Sequence, residues 1–194
     1  MPPGFQYFSD FLPPAEAAAL LAQLTETVAW EQRHIRLFGQ WHPQPRLTAW
    51  YGEPEARYAY SGLRWEPLPW LPALAQLREQ VSLASGQRYN SVLLNRYRDG
   101  RDSMGWHADD EPELGPAPVI ASLSLGAARR FRVRPRPGTA GAAFGLDLAP
   151  GSLLVMGGTT QQHWQHALPK TARPVGERLN LTFRWVEARS GSNL

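Results

Sequence analysis

The 194-residue chain contains no cysteine. That absence excludes a disulfide framework, thiolate zinc centres, iron–sulfur clusters and a thiol nucleophile, so any metal must take nitrogen and oxygen ligands. Also missing is an apolar run long enough to cross a bilayer, and the start, Met1-Pro2-Pro3-Gly4, lacks the basic region and apolar stretch of a secretion signal. A soluble cytoplasmic protein with no membrane partner is the expectation. Internal repeats and domain linkers are absent too, so one domain is expected over residues 1–189, with 190–194 a disordered tail. Strong charge of either sign is lacking. The net charge of +3 and pI of 9.6 suit a polyanionic partner but fall far short of a dedicated nucleic-acid coat protein. What the chain does have is a hydrophobic content of 43%, enough to bury a sizeable core.

Periodicity divides the chain. Pro13 and Pro14 open an amphipathic helix in which Ala17, Leu20, Leu21, Leu24 and Val28 recur at helical spacing. From Trp30 to Trp70 the helix period disappears among Gly39, Pro43, Pro45, Gly52, Pro54 and Gly62, which predicts hairpins and loops. A second helix is expected from about Trp70 to Ala84, ended by Gly86. Beyond it the pattern predicts strands at Ser91–Arg98, Met104–Asp109, Val119–Leu125, Arg130–Arg134, Phe144–Leu148, Ser152–Met156, Gln162–Ala167 and Arg178–Val186. Asp99-Gly100 is the clearest turn signal, and Pro135–Gly145 is expected to be a mobile loop. Short strands without intervening helices imply a mainly β (α+β) protein, a double sheet of the jelly-roll sort with the two helices packed outside.

The last predicted strand places Arg178, Asn180, Thr182 and Arg184 on one face and Leu179, Leu181, Phe183 and Trp185 on the other. On a strand His107 and Asp109 also share a face. Alone, that HxD pair reads as a solvated polar loop running on into Asp110-Glu111-Pro112. The order of parts changes the reading: HxD, then His166 in Gln162-His163-Trp164-Gln165-His166, then the Arg/Asn/Arg strand. Two histidines and a carboxylate form the ligand set of non-haem Fe(II) oxygenases. His163, three residues before His166, faces the other way on a strand and is expected to play a structural role or to support the ligands from behind.

These segments resemble the AlkB family of Fe(II)- and 2-oxoglutarate-dependent dioxygenases, in particular its eukaryotic DNA-repair members, from about Ile35 to Trp185. The matching motifs are Pro45-Arg46-Leu47-Thr48-Ala49-Trp50-Tyr51-Gly52, Tyr58-Ala59-Tyr60-Ser61, Asn95-Arg96-Tyr97, His107-Ala108-Asp109-Asp110-Glu111, Ile120–Gly126, Gly151–Leu154, Trp164-Gln165-His166 and Arg178–Arg184. The resemblance implies a double-stranded β-helix core at about 90–187, with nucleotide-recognition hairpins at about 30–68. It implies Fe(II) on His107, Asp109 and His166. It also implies 2-oxoglutarate as cosubstrate, its far carboxylate on Arg178 and its pocket completed by Asn95, Tyr97, Asn180, Thr182 and Arg184. The implied reaction is oxidative demethylation of 1-methyladenine and 3-methylcytosine in alkylated DNA by a monomer, releasing succinate, carbon dioxide and formaldehyde.

Substrate contacts implied by the same resemblance are Tyr58, Tyr60 and Ser61 for the base, with Phe38 as the wedge that fills the space left by a flipped base. Trp50, Trp65 and Trp70 read as core. Asp110, and more weakly Glu111, favours bases that methylation has made cationic. Arg130, Arg132, Arg134 and Arg136 alternate with Phe131, Val133 and Pro135, which gives a one-sided basic row. As a solvated outer face and as a contact for nucleic-acid backbone, that row reads equally well. Other readings stay open: the same iron chemistry on RNA, a protein or a small molecule, and a non-enzymatic basic β-sandwich that binds nucleic acid. Against the last, a structural zinc site closes with a fourth protein ligand, and only His163 is at hand.

Overall fold

The computed structural model describes residues 1–37, 39–56, 58–60 and 63–187. Strand β14, Arg178–Arg184, is buried along its whole length at the centre of a six-stranded sheet. Its period of two puts it there. Leu179, Leu181 and Phe183 join a fully buried cluster with Ala17 and Leu24 of α1 (Pro14–Thr27) and Leu74, Leu77 and Val81 of α2 (Pro72–Ser85). The polar residues of β14 turn to the opposite face and line a cavity. The sheet runs β1 (Phe5–Phe8), β12 (Leu153–Met156), β9 (Ile120–Gly126), β14, β7 (Ser91–Tyr97), β4 (Leu47–Gly52), with every pair antiparallel.

Facing it is a four-stranded antiparallel sheet in the order β11 (Phe144–Leu148), β10 (Arg129–Pro135), β13 (Trp164–Leu168), β8 (Met104–His107). Ile120, Leu154 and Met156 of the first sheet and Phe131, Val133, Leu148 and Trp164 of the second form one apolar cluster between them. Such a layer binds two sheets face to face. Two hairpins, β2 (His34–Leu37) with β3 (Gln40–Pro43) and β5 (Tyr58–Tyr60) with β6 (Leu63–Trp65), complete the strands. Among the described residues no helix is long and apolar enough to cross a membrane.

Both predicted helices form, and their ends follow local chemistry. Proline occupies the first turn of each, where a missing N–H has no partner to lose. Gly86, at φ 66°, closes α2 in the left-handed region that suits glycine. The Asp99-Gly100 turn joins β7 to β8, fastened by Arg98 pairing with Asp102 at 2.8 Å.

Several expectations need correction. β1 had no strand expected for it, and β4, within the stretch assigned to hairpins and loops, is an edge of the large sheet. The strand predicted at Gln162–Ala167 starts only at Trp164, because Thr160–His163 forms a single helical turn, α3, that turns Gln161 inward. β8 stops at His107, so Asp109 sits in the following loop. Trp185 lies past the end of β14 and is 43% exposed, with Arg88 5.3 Å from its ring, so it does not share the packed face of Phe183. The loop from 136 to 143 is held rather than loose. Arg136 N–H donates to the His163 carbonyl at 2.8 Å, and Gly141, at φ 135°, lies so close under Trp164 that a Cβ would sit 2.7 Å from the indole. The tail 190–194 lies outside the described residues.

Phe183→Ala is expected to cost about 3–5 kcal/mol, because the ring is fully buried in the apolar cluster beneath the large sheet and its loss leaves a cavity there. Leu83→Ala, on the exposed side of α2, should change stability by less than about 0.5 kcal/mol. Urea unfolding of the two variants measures the contrast; equal losses would contradict this account of the core.

Candidate metal and cosubstrate site

Register brings the histidines together. His166 of β13 pairs directly with His107 of β8, and Val133 of β10 flanks His166 on its other side. The two rings lie 4.2 Å apart between centroids. Asp109, two residues beyond His107, places Oδ2 3.5 Å from His166 Nε2. One ligand atom from each of His107, Asp109 and His166 lies within 4.8 Å of the others. His163 ends α3 exposed to solvent and outside this group, on a helical turn rather than on the expected strand.

Two of the three donors, His107 and Asp109, are oriented by hydrogen bonds. His107 Nδ1 is 2.9 Å from the Gly105 carbonyl, which can only accept, so Nδ1 carries the proton and Nε2 keeps its lone pair for a metal. Arg184 donates from Nη2 and from Nε, the latter at 3.2 Å, to Asp109 Oδ1, leaving Oδ2 on the histidine side. Gln161 Oε1 accepts the Asp109 N–H at 2.9 Å. Burial alone would raise the Asp109 pKa, but the Arg184 guanidinium and the two imidazoles outweigh it and hold the carboxyl at about 2. Burial, reinforced by His107, lowers His166 to about 3. At neutral pH the set is therefore a carboxylate and, at His166, a neutral imidazole. Their 3.5 Å contact is no ion pair.

Beyond the triad a cavity of about 40 Å³ reaches Arg178. Asn95, Tyr97, Asn180, Thr182 and Arg184 all line it, so every residue expected around the cosubstrate is brought together. The pairings Arg178↔Tyr97 and Asn180↔Asn95 between β14 and β7 explain why. Arg178 Nη2 donates to Ser124 Oγ at 2.9 Å, and its guanidinium lies 5.4 Å from the centre of the Tyr97 ring. Nε is buried without a partner among the described residues. Burial lowers the Arg178 pKa to about 10, still a cation at neutral pH. Asn180 donates to Ser122 Oγ and accepts from Thr182 Oγ1, which fixes the cavity wall. Arg46 donates to Asn95 Oδ1 at 2.8 Å.

The substrate residues divide. Glu111 lines a second cavity that also meets His107 and Asp109. Asp110 is exposed and ion-paired with Arg136. Phe38 and Ser61 lie outside the described residues, as do the side chains of Tyr58 and Tyr60, whose backbone forms β5. Trp50 is core, as expected, and Trp70 packs against the core while donating to Glu53 at 3.1 Å. Arg130, Arg132 and Arg134 occupy the exposed face of β10. Arg130 pairs with Asp147, and Arg134 bonds Gln165 while lying 4.2 Å from the centre of the Trp106 ring. Gln161 and the orienting roles of Arg46 and Arg184 were not foreseen, since each depends on a partner more than 45 positions away.

Acid should act on this site through both depressed groups. His166, neutral when folded, contributes stability in full above its ordinary 6.5 and loses it as pH falls toward 3; Asp109 contributes in full above its ordinary 3.8 and loses it toward 2. Metal-free protein is thus expected to weaken in urea from about pH 6.5 downward, and His166→Gln should flatten the profile down to about pH 4. Superimposable profiles for the two proteins would refute the assignment of that proton.

The chain matches the family model of the 2OG-Fe(II) oxygenase superfamily over residues 4–184. It is 44% identical over 187 residues to the alpha-ketoglutarate-dependent dioxygenase alkB homolog 3 of Rattus norvegicus, covering 92% of this chain and 63% of that protein. To the DNA oxidative demethylase ALKBH2 of Homo sapiens it is 42% identical over 181 residues, 89% of this chain and 69% of that one. It thus spans roughly two thirds of the length of these relatives. The solved structure of OsALKBH1 shares the fold with a TM-score of 0.64 at 15% identity, over 95% of this chain and 98% of that chain. A family match across nearly the whole chain, joined to more than two-fifths identity with alkB homologues, makes this protein a member of the AlkB family within the 2OG-Fe(II) oxygenase superfamily.

Proposed function

We propose that the chain is an Fe(II)- and 2-oxoglutarate-dependent dioxygenase that removes N-methyl groups from bases of the 1-methyladenine and 3-methylcytosine kind in alkylated DNA. One observation carries the reading: an N,N,O donor set, with Asp109 and His166 buried and His107 half-buried, shares a cavity with a buried arginine whose Nε has no partner among the described residues. An orphaned guanidinium N–H is costly unless something accepts from it. The distal carboxylate of 2-oxoglutarate is such an acceptor, and it suits the planar fork of Arg178. The donor set fits Fe(II), since no thiolate is present and three protein ligands leave positions open. The facing antiparallel sheets support the finer fold reading, a double-stranded β-helix at about 90–187 with recognition hairpins at about 30–68, in one unit over 1–189.

Fe(II), with 2-oxoglutarate and dioxygen, supplies the oxidation, which yields succinate and carbon dioxide and hydroxylates the methyl group, afterwards lost as formaldehyde. The chain's own residues arrange the parties. His107, Asp109 and His166 would hold the metal, with the Gly105 carbonyl directing His107 and with Arg184 and Gln161 directing Asp109. Arg178 anchors the cosubstrate while Arg46 turns the Asn95 amide so that its N–H groups stay available. Phe131 and Leu168 close the cavity on the small-sheet side with apolar surface that excludes water. The name of one relative, the DNA oxidative demethylase ALKBH2, supports the substrate class.

Mass spectrometry of oligonucleotides bearing 1-methyladenine or 3-methylcytosine, single-stranded and duplex, tests the proposal. Wild type should lose the methyl group with one succinate per turnover, and Asp109→Ala should lose activity by more than about a hundredfold while staying folded. Arg178→Ala should raise the KM for 2-oxoglutarate by about 10- to 100-fold, the worth of a charged hydrogen bond of about 1.5–3 kcal/mol. Succinate formed without demethylation would move the substrate to RNA or protein. An unchanged KM in Arg178→Ala would place the anchor elsewhere.

A further inference from the structure

Arg129, the first residue of β10, turns its charge into the protein. It is 3% exposed, whereas Arg130, Arg132 and Arg134 of the same strand face solvent. The period of two puts it on the inner face with Phe131 and Val133. Its guanidinium donates to three backbone carbonyls: from Nη1 to Asp99 at 3.0 Å, and from Nη2 to Asp102 at 2.9 Å and to Pro169 at 2.8 Å. Asp99 and Asp102 lie in the connection between β7 and β8, and Pro169 follows the end of β13. The head group is therefore fixed, 6.0 Å from the centre of the Tyr97 ring. The Arg178 guanidinium lies 5.4 Å from the same ring.

Three carbonyls satisfy N–H groups but do not neutralise a charge. The two carboxylates of that connection are already engaged, Asp102 by Arg98 at 2.8 and 2.9 Å and Asp99 by Arg101 at 3.0 Å. Among the described residues no carboxylate forms an ion pair with Arg129 or with Arg178. Two buried cations thus share one tyrosine ring, and Tyr97 lines the cavity that Arg178 reaches. Burial is the main cause that lowers Arg178 to about 10, and the charge of Arg129 adds to it. As a mere staple for the connection Arg129 would do better neutral, because its charge opposes that of Arg178. With an anion in the cavity the same charge becomes favourable, and little water is present to screen it.

Resting on the proposed anchoring of 2-oxoglutarate by Arg178, we propose that Arg129 is a positioning residue for the cosubstrate, a second buried cation beside Tyr97 that favours a dicarboxylate over a 2-oxo acid with an uncharged far end. Arg129 itself does not line the cavity, so it touches neither the cosubstrate nor the metal. It acts on the far carboxylate through the field at Tyr97 and Arg178. The empty protein bears the repulsion between two like charges, and binding of the dicarboxylate relieves it. Selection for charge at the far end is in this way divided between a residue that makes the contact and one that stands behind it.

The test measures Kd for 2-oxoglutarate and for its 5-methyl ester, under anaerobic conditions with Mn(II). The ester keeps the 2-oxo acid end but carries no charge at the other. Wild type should favour 2-oxoglutarate. Arg129→Met should weaken 2-oxoglutarate by about 3- to 10-fold and the ester by less than about twofold. Arg129→Lys, which keeps the charge but cannot reach all three carbonyls, should preserve the preference even where its melting temperature falls. Loss of a staple alone would weaken both ligands alike, so equal weakening, or an unaltered preference in folded Arg129→Met, would overturn the assignment. Should Arg129→Met not fold, Arg129→Gln, which still offers an N–H donor, carries the same expectation. Arg178→Ala separates the two readings: a preference that persists there but disappears in Arg129→Met would keep the second cation and remove the anchor.

Discussion

The buried ion pair between Arg184 and Asp109 is the contact on which the rest of the site depends. Arg184 ends the central strand of the large sheet, and Asp109 follows the edge strand of the small one, so the pair fastens the two layers where no apolar cluster does. Both side chains are almost fully buried, and removing one partner of such a pair typically costs about 3–5 kcal/mol because the other is left as an uncompensated charge. The same contact selects which carboxylate oxygen faces His166. Structure and chemistry thus share one interaction, and a substitution at Arg184 would disturb both at once.

Legibility in the sequence followed the range of the interactions. The helices were readable because proline starts, a glycine stop and apolar spacing all act within a few residues, and β14 was readable because its alternation is unbroken from Arg178 to Arg184. The triad was readable as an ordered set of residue types. What escaped was set by long-range contact. β1 has no pattern of its own and is a strand because β12 is beside it. Gln161 lies just before the strand expected from Gln162, and nothing local announces that its amide will meet a backbone N–H from position 109. Trp185 carried the right residue type for the packed face but lies one position past the end of the strand, where the sheet no longer covers it.

The charged surface is more self-contained than the alternating arginines suggest. Arg130 leans on Asp147, Arg134 on Gln165 and Trp106, and Arg136 on Asp110. Exposed pairs of this kind contribute at most about 1 kcal/mol, so a phosphate could displace them at small cost. A nucleic acid that draws Arg136 away would leave the Asp110 carboxylate bare beside the metal site. Backbone contact and attraction for a cationic base would in this way be joined through the Arg136 side chain.

β8 is four residues long and lies at the edge of its sheet, held along one side only, yet it carries His107. His166, by contrast, is on an interior strand, and Asp109 is clamped by Arg184. Edge strands open locally at far lower free energy than the core they border. The first coordination bond to break would then be the one to His107, through fraying of a short strand rather than unfolding of the protein. The lifetime of an ion held there would accordingly depend on one sheet margin, and the ion in turn would hold this margin shut.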